Sequence, residues 1–450
     1  MFSCDLSGPL LSSLARLENL SVIDLSNNHL SSPVPETFAY FKSLTNLRLV
    51  DYNSFVGAIL SAKFEELVNL DHINLENNFF TGIIPSSIFT LPSLNGVFLS
   101  NNKFEGQLND FINGSSRVRS LRLSDNNLEG PIPMSLFQIT NLQDLILSSN
   151  NNNLNSFIPS KIDKYLIETK FLSLASNNFQ GNIPESICNA PYLLVLDLSN
   201  NALTGTIPKC LIAMNGTLSI LDLGWNKING TIDTSPGKLK ILTIFTTIDL
   251  SCNKFEGLIP EGLGQLNALH ILNLSHNAFF GQIPLTLGNM KDLECLDLSN
   301  NNLSGKIPTQ ITALSFLSFL NLSGNHLVGR IPTGTQIQSF TTESFKGNDG
   351  LCGPPLSPNC GDDRMQGTPP PASNSNVDTK NSIDWNFISS ELGFTFGIGT
   401  IILPLIFCKA WRIRYWKCID GILYHTFPQL DFVHERRGRQ SYRTLRWISY

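Results

Sequence analysis

The 450-residue sequence is poor in charge: Lys, Arg, Asp and Glu make up 15% of it. An ordinary soluble domain carries about a quarter. Side chains for metal and redox chemistry are scarce too, with seven His, nine Cys and five Met. Nine cysteines over 450 residues are too few for a disulfide-built scaffold. A formal charge of −5 argues against the basic stripe of a nucleic-acid-binding protein. A hydrophobic content of 42% argues against a disordered chain. Catalytic signatures are missing as well. Neither H-E-x-x-H nor G-x-S-x-G occurs, nor do the G-x-G-x-x-G-x-V and H-R-D-x-x-x-x-N segments of a kinase. The glycine cluster GFTFGIG at 393–399 lies inside an apolar run, so it is not a phosphate loop. No enzymatic activity, metal or cofactor is expected.

What is abundant is repetition. The pattern L-x-L-x-x-N recurs thirteen times, closing at Asn28, Asn53, Asn78, Asn102, Asn126, Asn150, Asn177, Asn201, Asn226, Asn253, Asn277, Asn301 and Asn325. The period is 24 residues, stretched to between 25 and 27 at five intervals. This motif at a period of about 20–29 residues is the leucine-rich repeat. In each copy L-x-L points its apolar side chains to one side and the residue between them to the other, as a short strand requires. One coil cannot bury its own apolar face; stacked coils form a continuous core. The asparagine closes the strand, and its amide can satisfy turn groups of its own coil and the next. The fold class is therefore an α/β solenoid, a horseshoe of about thirteen repeats with short parallel strands on its concave face. The second half of a copy reads x-L-x-G-x-I-P, as in NLEGPIP at 127–133 and NLSGKIP at 302–308. Glycine permits a bend there and proline forbids a central ladder bond. Short extended pieces on the flank and 3₁₀ segments on the convex side are expected.

The N-x-L-x-G-x-I-P form of the repeat resembles the plant-specific class of leucine-rich repeat proteins. TGTQIQSFTTESFKGNDGLCGPPLSPNC at 333–360 resembles the C-terminal cap of plant receptor-like proteins of the Cf and Verticillium-resistance type. The resemblance implies an ectodomain that binds an extracellular protein or peptide ligand, often in defence, and signals through partner adaptor or co-receptor kinases. The sequence departs from that pattern twice. It opens inside a repeat, with Cys4 one period before Asn28 and no signal peptide or N-terminal cap, as in a truncated gene product. The first coil, with Leu6, Leu10, Leu11 and Leu14, should then expose apolar surface. The family's non-repeat island is also missing between Gly230 and Thr247.

Beyond the repeats (1–332) and cap (333–360), residues 361–386 read as an acidic flexible juxtamembrane linker. Residues 387–408 read as a single transmembrane helix: LGFTFGIGTIILPLIFC at 392–408 is uncharged, and extension back to Phe387 gives 22 residues. Trp385 on one side and Trp411, Tyr415 and Trp416 on the other suit the two interfaces. Residues 409–450 form a short basic tail with nine Lys or Arg against three acids, which belongs in the cytoplasm. The chain is thus expected to be a single-pass type I plasma-membrane protein with its repeats outside. Gly393 and Gly397 form a G-x-x-x-G pair that suits helix packing in the membrane.

Seven N-x-[ST] sequons, at Asn19, Asn113, Asn215, Asn229, Asn273, Asn302 and Asn321, all precede the span and are candidate glycosylation sites. Cys352 and Cys360 lie eight apart, a spacing that allows a bridge in an oxidising compartment. Cys188 and Cys210 lie in adjacent coils, either bridged or as separate thiols; Cys252 and Cys295 read as packed thiols. Cys408 and Cys418 flank the inner membrane face as silent thiols or palmitoylation sites. Tyr424 and Tyr442 open Y-x-x-Φ segments resembling sorting signals, a loose pattern that also arises by chance.

The concave positions between the paired leucines separate the coils. From Asp197 to Asn321 they read Asp, Asp, Asp, Asn, Asp and Asn, as on a solvated or partner-docking surface. Earlier they read Arg48, Asn74, Phe98, Arg122 and Ile146. Apolar or arginine side chains at exposed positions mark interaction sites, so Arg48, Phe98, Arg122 and Ile146 are the candidate ligand contacts. Phe98 and Arg122 should then be replaceable by Ala without loss of stability. The favoured function is a non-catalytic cell-surface receptor. The alternatives are an apoplastic inhibitor-like repeat protein, a developmental peptide receptor and a non-functional receptor-gene fragment.

Overall fold

The computed structural model describes residues 4–360, apart from 11, 18, 51–52, 60–65, 113–116, 149–152, 213–216, 234–244, 335 and 358–359, together with 430–437 and 440–447. The chain separates into two units, 1–363 and 364–450.

The first unit is a leucine-rich repeat solenoid. Its concave face is one parallel sheet of thirteen strands in chain order, each three residues long, from Val22–Asp24 to Phe319–Asn321. The register is fixed by the repeat: Leu121 pairs with Val97 before it and Leu145 after it. The inward residues Leu47, Ile73, Val97, Leu121 and Leu145 are fully buried, and so are their partners two residues on. A one-residue slip in any coil would turn both to water, which is why three residues suffice to hold register.

The closing asparagines join the coils. Asn126 Nδ2 donates to the carbonyls of Leu123 and Ser124 in its own turn and of Leu99 one coil back, each at 3.0 Å. Its Oδ1 accepts the Phe104 N–H at 3.0 Å. The side chain is 1% exposed, so it satisfies backbone groups that water does not reach. Asn348 extends the series into the cap. It donates to Leu322 and Phe345 carbonyls and accepts the Leu327 N–H at 2.9 Å. Sequence spacing missed it because FKGN at 345–348 lacks the paired leucines; buried Phe345 fills the core instead.

The second half of each coil forms flanking parallel sheets, one of five strands from Val56–Ala58 to Asn153–Leu154 and one of six ending on Gly350–Cys352 of the cap. The glycines of x-L-x-G sit at positive φ, and a Cβ at Gly281 (φ 81°) would meet Leu258 Cδ2 at 2.4 Å. The proline that follows precedes short 3₁₀ helices such as Ser86–Thr90 and Thr309–Ala313. Stacked rings of Phe55, Phe80 and Phe104, 6.0 and 6.2 Å apart, fill the space behind the asparagines.

Disulfides join Cys188 to Cys210 and Cys352 to Cys360. Leu6, Leu10 and Leu14 of the first coil are only partly buried, and Leu11 lies outside the described residues. In the second unit Leu430–Arg437 pairs antiparallel with Gln440–Trp447. Among the described residues no helix is long and apolar enough to cross a membrane. Residues 387–408, with Gly393 and Gly397, lie outside the described residues, as do Asn113, Asn215, Cys408, Cys418, Tyr424 and residues 234–244 of the stretch where an island is expected to be lacking.

Candidate ligand-binding face

Two columns of side chains stand on the open side of the concave sheet, one before and one after the first core residue of each strand. Register aligns Arg48, Asn74, Phe98, Arg122 and Ile146 in the second column. The four residues singled out from sequence therefore share one face, and three of them occupy adjacent strands.

Their surroundings differ from expectation. Phe98 and Ile146 are half-buried rather than open to water. The Phe98 ring stacks on His72 with centroids 6.3 Å apart and planes at 3°, and the Arg122 guanidinium carbon lies 5.3 Å from its centroid on a neighbouring strand. Gly96 makes room for this: a Cβ there would lie 2.6 Å from Phe98 and 2.7 Å from His72. Arg122 in turn lies 3.8 Å from Asp144 Oδ2, and the two side chains are 15% and 10% exposed. Ser120 Oγ donates to the same oxygen at 3.0 Å. Burial pushes the Asp144 carboxyl above the usual range, while Arg122 and the Ser120 bond pull it back. His72 completes the row with an Nδ1 contact to Asp71 Oδ2 at 2.7 Å.

The expectation that Phe98 and Arg122 can be replaced without loss of stability is thereby corrected. Both are held in a row that runs Asp71, His72, Phe98, Arg122, Asp144 across the strands. His72, Gly96, Ser120 and Asp144 were missed because only the residue between the leucines was considered. The signal lay one position before the first leucine, a coil or so apart. Arg48 remains exposed. Beside the row a cavity of about 300 Å³ is lined by Asp71, Ser93, Asn95, Arg117, Arg119 and Asn141. It offers donors of both charged and neutral kinds to a polar ligand.

Among the described residues no group of three or more His, Cys, Asp or Glu side chains could hold a metal ion. Cys252 and Cys295 are free thiols, with Cys295 pushed up to about 11 by burial and then by Asp297 and Asp249. Such thiols are poor nucleophiles.

The Leucine Rich Repeat family matches eight segments between residues 19 and 314, among them 117–139 and 192–214. Receptor-like protein 33 of Arabidopsis thaliana is 46% identical over 281 residues, 59% of this chain and 31% of its own length. Receptor-like protein 53 of the same plant is 34% identical over 125 residues, 28% of this chain and 12% of its own length. The repeats and these relatives together support a plant leucine-rich repeat receptor-like protein. The matched stretches cover at most about a third of the relatives cited. Among solved structures, the Arabidopsis receptor kinase HAESA, in complex with the peptide hormone IDA and the co-receptor SERK1, superposes with a TM-score of 0.62 at 30% identity. That match covers 78% of this chain and 65% of HAESA. The plant peptide hormone receptor RGFR1, in complex with RGF2, gives 0.59 at 26% identity over 73% of this chain and 63% of its own. The curated relatives are named receptor-like proteins, and the solved neighbours are a receptor kinase and a peptide hormone receptor.

Proposed function

We propose that this chain is a non-catalytic receptor of the plant cell surface. Its repeats bind an extracellular protein or peptide, and its signal passes through adaptor or co-receptor kinases, in defence. The observation that carries the reading is the thirteen-strand concave sheet, whose first half carries a built row of aromatic and charged side chains. Its likeness to a receptor seen with peptide and co-receptor adds support. The candidate contacts are Arg48, Phe98, Arg122 and Ile146, with His72 added from the structure.

Residues 387–408 would span the plasma membrane once, with repeats outside, the basic tail 409–450 inside and Gly393 and Gly397 packing against a partner helix. Of the sequons, Asn19, Asn229 and Asn302 are exposed. Asn273 Nδ2 donates to Asp249 at 2.8 Å and Asn321 Oδ1 accepts from Ser323 at 2.7 Å, so a glycan on either would disturb the concave face. Glycosylation is therefore proposed first at Asn19, Asn229 and Asn302.

The test is expression of the full chain behind a cleavable secretion signal in leaf cells, followed by surface labelling and recovery of bound proteins. The expected result is labelling of the repeats from outside, protection of the tail and recovery of a receptor kinase. Recovery of secreted, membrane-free protein would favour the inhibitor-like alternative and sink this one.

A further inference from the structure

Away from the concave face, the six-stranded flanking sheet lines up three side chains across adjacent strands. Leu258 is in register with Phe280, and Phe280 with Asn302. The core side of these strands is filled by Phe255, Phe279 and Leu303, all fully buried. Side chains alternate between the two sides of a strand, so the row of three stands on the open side. There Leu258 is 60% and Phe280 51% exposed, and Asn302 is exposed as well. Leu258 lies over Gly281, where no side chain holds it away from the ring. The flanking sheet of the first half also bears an exposed ring, Phe79, but Lys103 Nζ covers it at 5.0 Å from the centroid. Among the described residues Phe280 has no such ring or cation partner. Two large apolar side chains thus stand bare side by side, an arrangement that asks for cover.

The third member of the row opens a sequon, Asn302-Leu303-Ser304, and Ser304 is exposed too. Asn302 Nδ2 makes no hydrogen bond among the described residues. It differs in this from Asn273, whose Nδ2 is bonded to Asp249, and from Asn321, whose Oδ1 is bonded to Ser323. Asn229 is the contrast. It is exposed in the same sheet, but its strand neighbours are Thr206 and Lys254, both exposed and neither aromatic. One accessible sequon therefore sits against a bare ring, and another, two strands away, does not.

We propose that the first N-acetylglucosamine of a glycan on Asn302 lies over the Phe280 ring and reaches Leu258, so that the sugar closes an apolar patch the polypeptide leaves open. The proposal rests on the reading above that the repeats face outside and Asn302 is glycosylated, and it adds what that glycan does. In the transfer, Asn302 Nδ2 bonds to C1 of the sugar. The bond from C1 to the lipid diphosphate of the donor breaks, the diphosphate leaves, and the amide gives up one proton. One face of the pyranose presents C–H groups of slight positive charge, which suit the negative face of an aromatic ring. Both surfaces are then withdrawn from water, while the sugar hydroxyls stay in it. Neighbouring strands lie about 4.8 Å apart, so a sugar anchored on Asn302 meets the ring of the next strand without crossing a gap. The same anchor keeps a second copy of the chain off the patch.

The test uses the full chain, secreted behind a cleavable signal in leaf cells blocked in mannose trimming, placed in lipid nanodiscs and labelled with hydroxyl radicals. Mass spectrometry reads whether Asn302 carries sugar and how fast Phe280 and Leu258 are oxidised relative to Phe157, an exposed ring on another coil. Asn302 should be occupied, and Phe280 should be oxidised at least threefold faster in Asn302→Gln than in the wild type. Ser304→Ala, which ends the sequon but keeps the asparagine, should do the same. Trimming the wild-type glycan to its first sugar with an endoglycosidase should leave Phe280 protected, and Asn229→Gln should change nothing at Phe280. Equal oxidation of Phe280 with and without sugar on Asn302 overturns the proposal, and so does an unoccupied Asn302. Protection of Phe280 in Asn302→Gln that grows with protein concentration also overturns it, by giving the patch to a second copy. The two readings fail separately. A chain with glycans at other sequons and an uncovered Phe280 keeps its repeats outside and loses only this inference, whereas a chain without sugar at any sequon loses both.

Discussion

The two halves of the concave sheet share one core and differ on its open face. Between Arg48 and Ile146 the charged and aromatic side chains answer one another: Phe98 lies between His72 and Arg122, and Arg122 approaches an Asp144 already bonded to Ser120. Between Asp197 and Asn321 like charges stand side by side, and Asp222 keeps a single hydrogen-bond donor among the described residues. The lesson is that a residue placed on the open face by its repeat position is not thereby available to a ligand. What stands one coil away decides. The half richer in interaction-prone residue types is the more self-contained, and the monotonous half holds the unmet demand.

The sharpest way to test that comparison is to show that the halves differ only on the face. Asn126 and Asn301, both buried, make the same bonds in the two halves: three donated to carbonyls and one accepted, from Phe104 and Phe279 respectively. Replacing either by Ala orphans backbone groups away from water, which should cost about 3–4 kcal/mol. Denaturant unfolding of the two variants should give losses equal to within about 1 kcal/mol. A larger gap would place the difference in the core.

Arg122→Ala comes next, at about 2–3 kcal/mol, because it leaves Asp144 buried without its cation. The sign of the pH dependence follows from the direction of the shift. Asp144 already titrates above its ordinary value in the folded state, chiefly through burial, and losing Arg122 raises it further. An acid whose folded value is raised binds its proton more tightly when folded, so stability falls as pH rises from the unfolded value through the folded one. The cost of Arg122→Ala should therefore be largest at neutral pH and shrink toward pH 4. Adding Asp144→Asn should recover most of it. A loss independent of pH would mean that Arg122 acts by packing on Phe98 alone.

Asp222→Asn should act in the opposite direction. Burial, then Asp197 and Asp249, hold this carboxyl up at about 7. By the same sign, charging Asp222 costs stability as pH rises through that value. The amide should stabilise the protein by on the order of 1–2 kcal/mol at pH 8 and change nothing near pH 3, where both states are protonated. Thermal unfolding at the two pH values reads this directly. A variant without effect at pH 8 would mean that the acidic column is relaxed by solvent, and the contrast between the halves would fall with it.

Most of the fold was legible because the repeat writes each contact many times. L-x-L set the strands and the closing asparagines, Asn150 aside as outside the described residues, set the coil joints, and the register then followed. Asn348 was hidden because its coil keeps the asparagine but replaces the paired leucines with Phe345, a volume match rather than a pattern match. The candidate site was half legible. Arg48, Phe98, Arg122 and Ile146 do share a column, but the meaning of Phe98 depends on Gly96, which opens the space where His72 meets it. Gly224 likewise passed as an ordinary repeat residue within LDLGWN. Its reason appears only beside Asp249, 25 residues later, whose Oδ1 a Cβ there would approach to 3.0 Å. A one-dimensional pattern shows what repeats; these sites are made by what fails to repeat, and by which coil stands next to the failure.

The smallest effect on stability is expected at Arg48, and that makes it the cleanest probe of the first half. It is exposed, lies in register with Asp24 and Asn74, and makes no ion pair among the described residues. Arg48→Ala should therefore change stability by less than about 0.5 kcal/mol. Phe98→Ala, which removes a half-buried ring from between His72 and Arg122, should lower the melting temperature measurably. If an extracellular ligand spans the first half of the sheet, Arg48→Ala should weaken its binding by about 1 kcal/mol, with no thermal shift to confuse the reading. A ligand recovered from leaf cells that binds Arg48→Ala and wild type equally, yet binds Asp222→Asn more weakly, would move recognition to the acidic half. The row around Phe98 would then be a device that stiffens the sheet, not one that reads a partner.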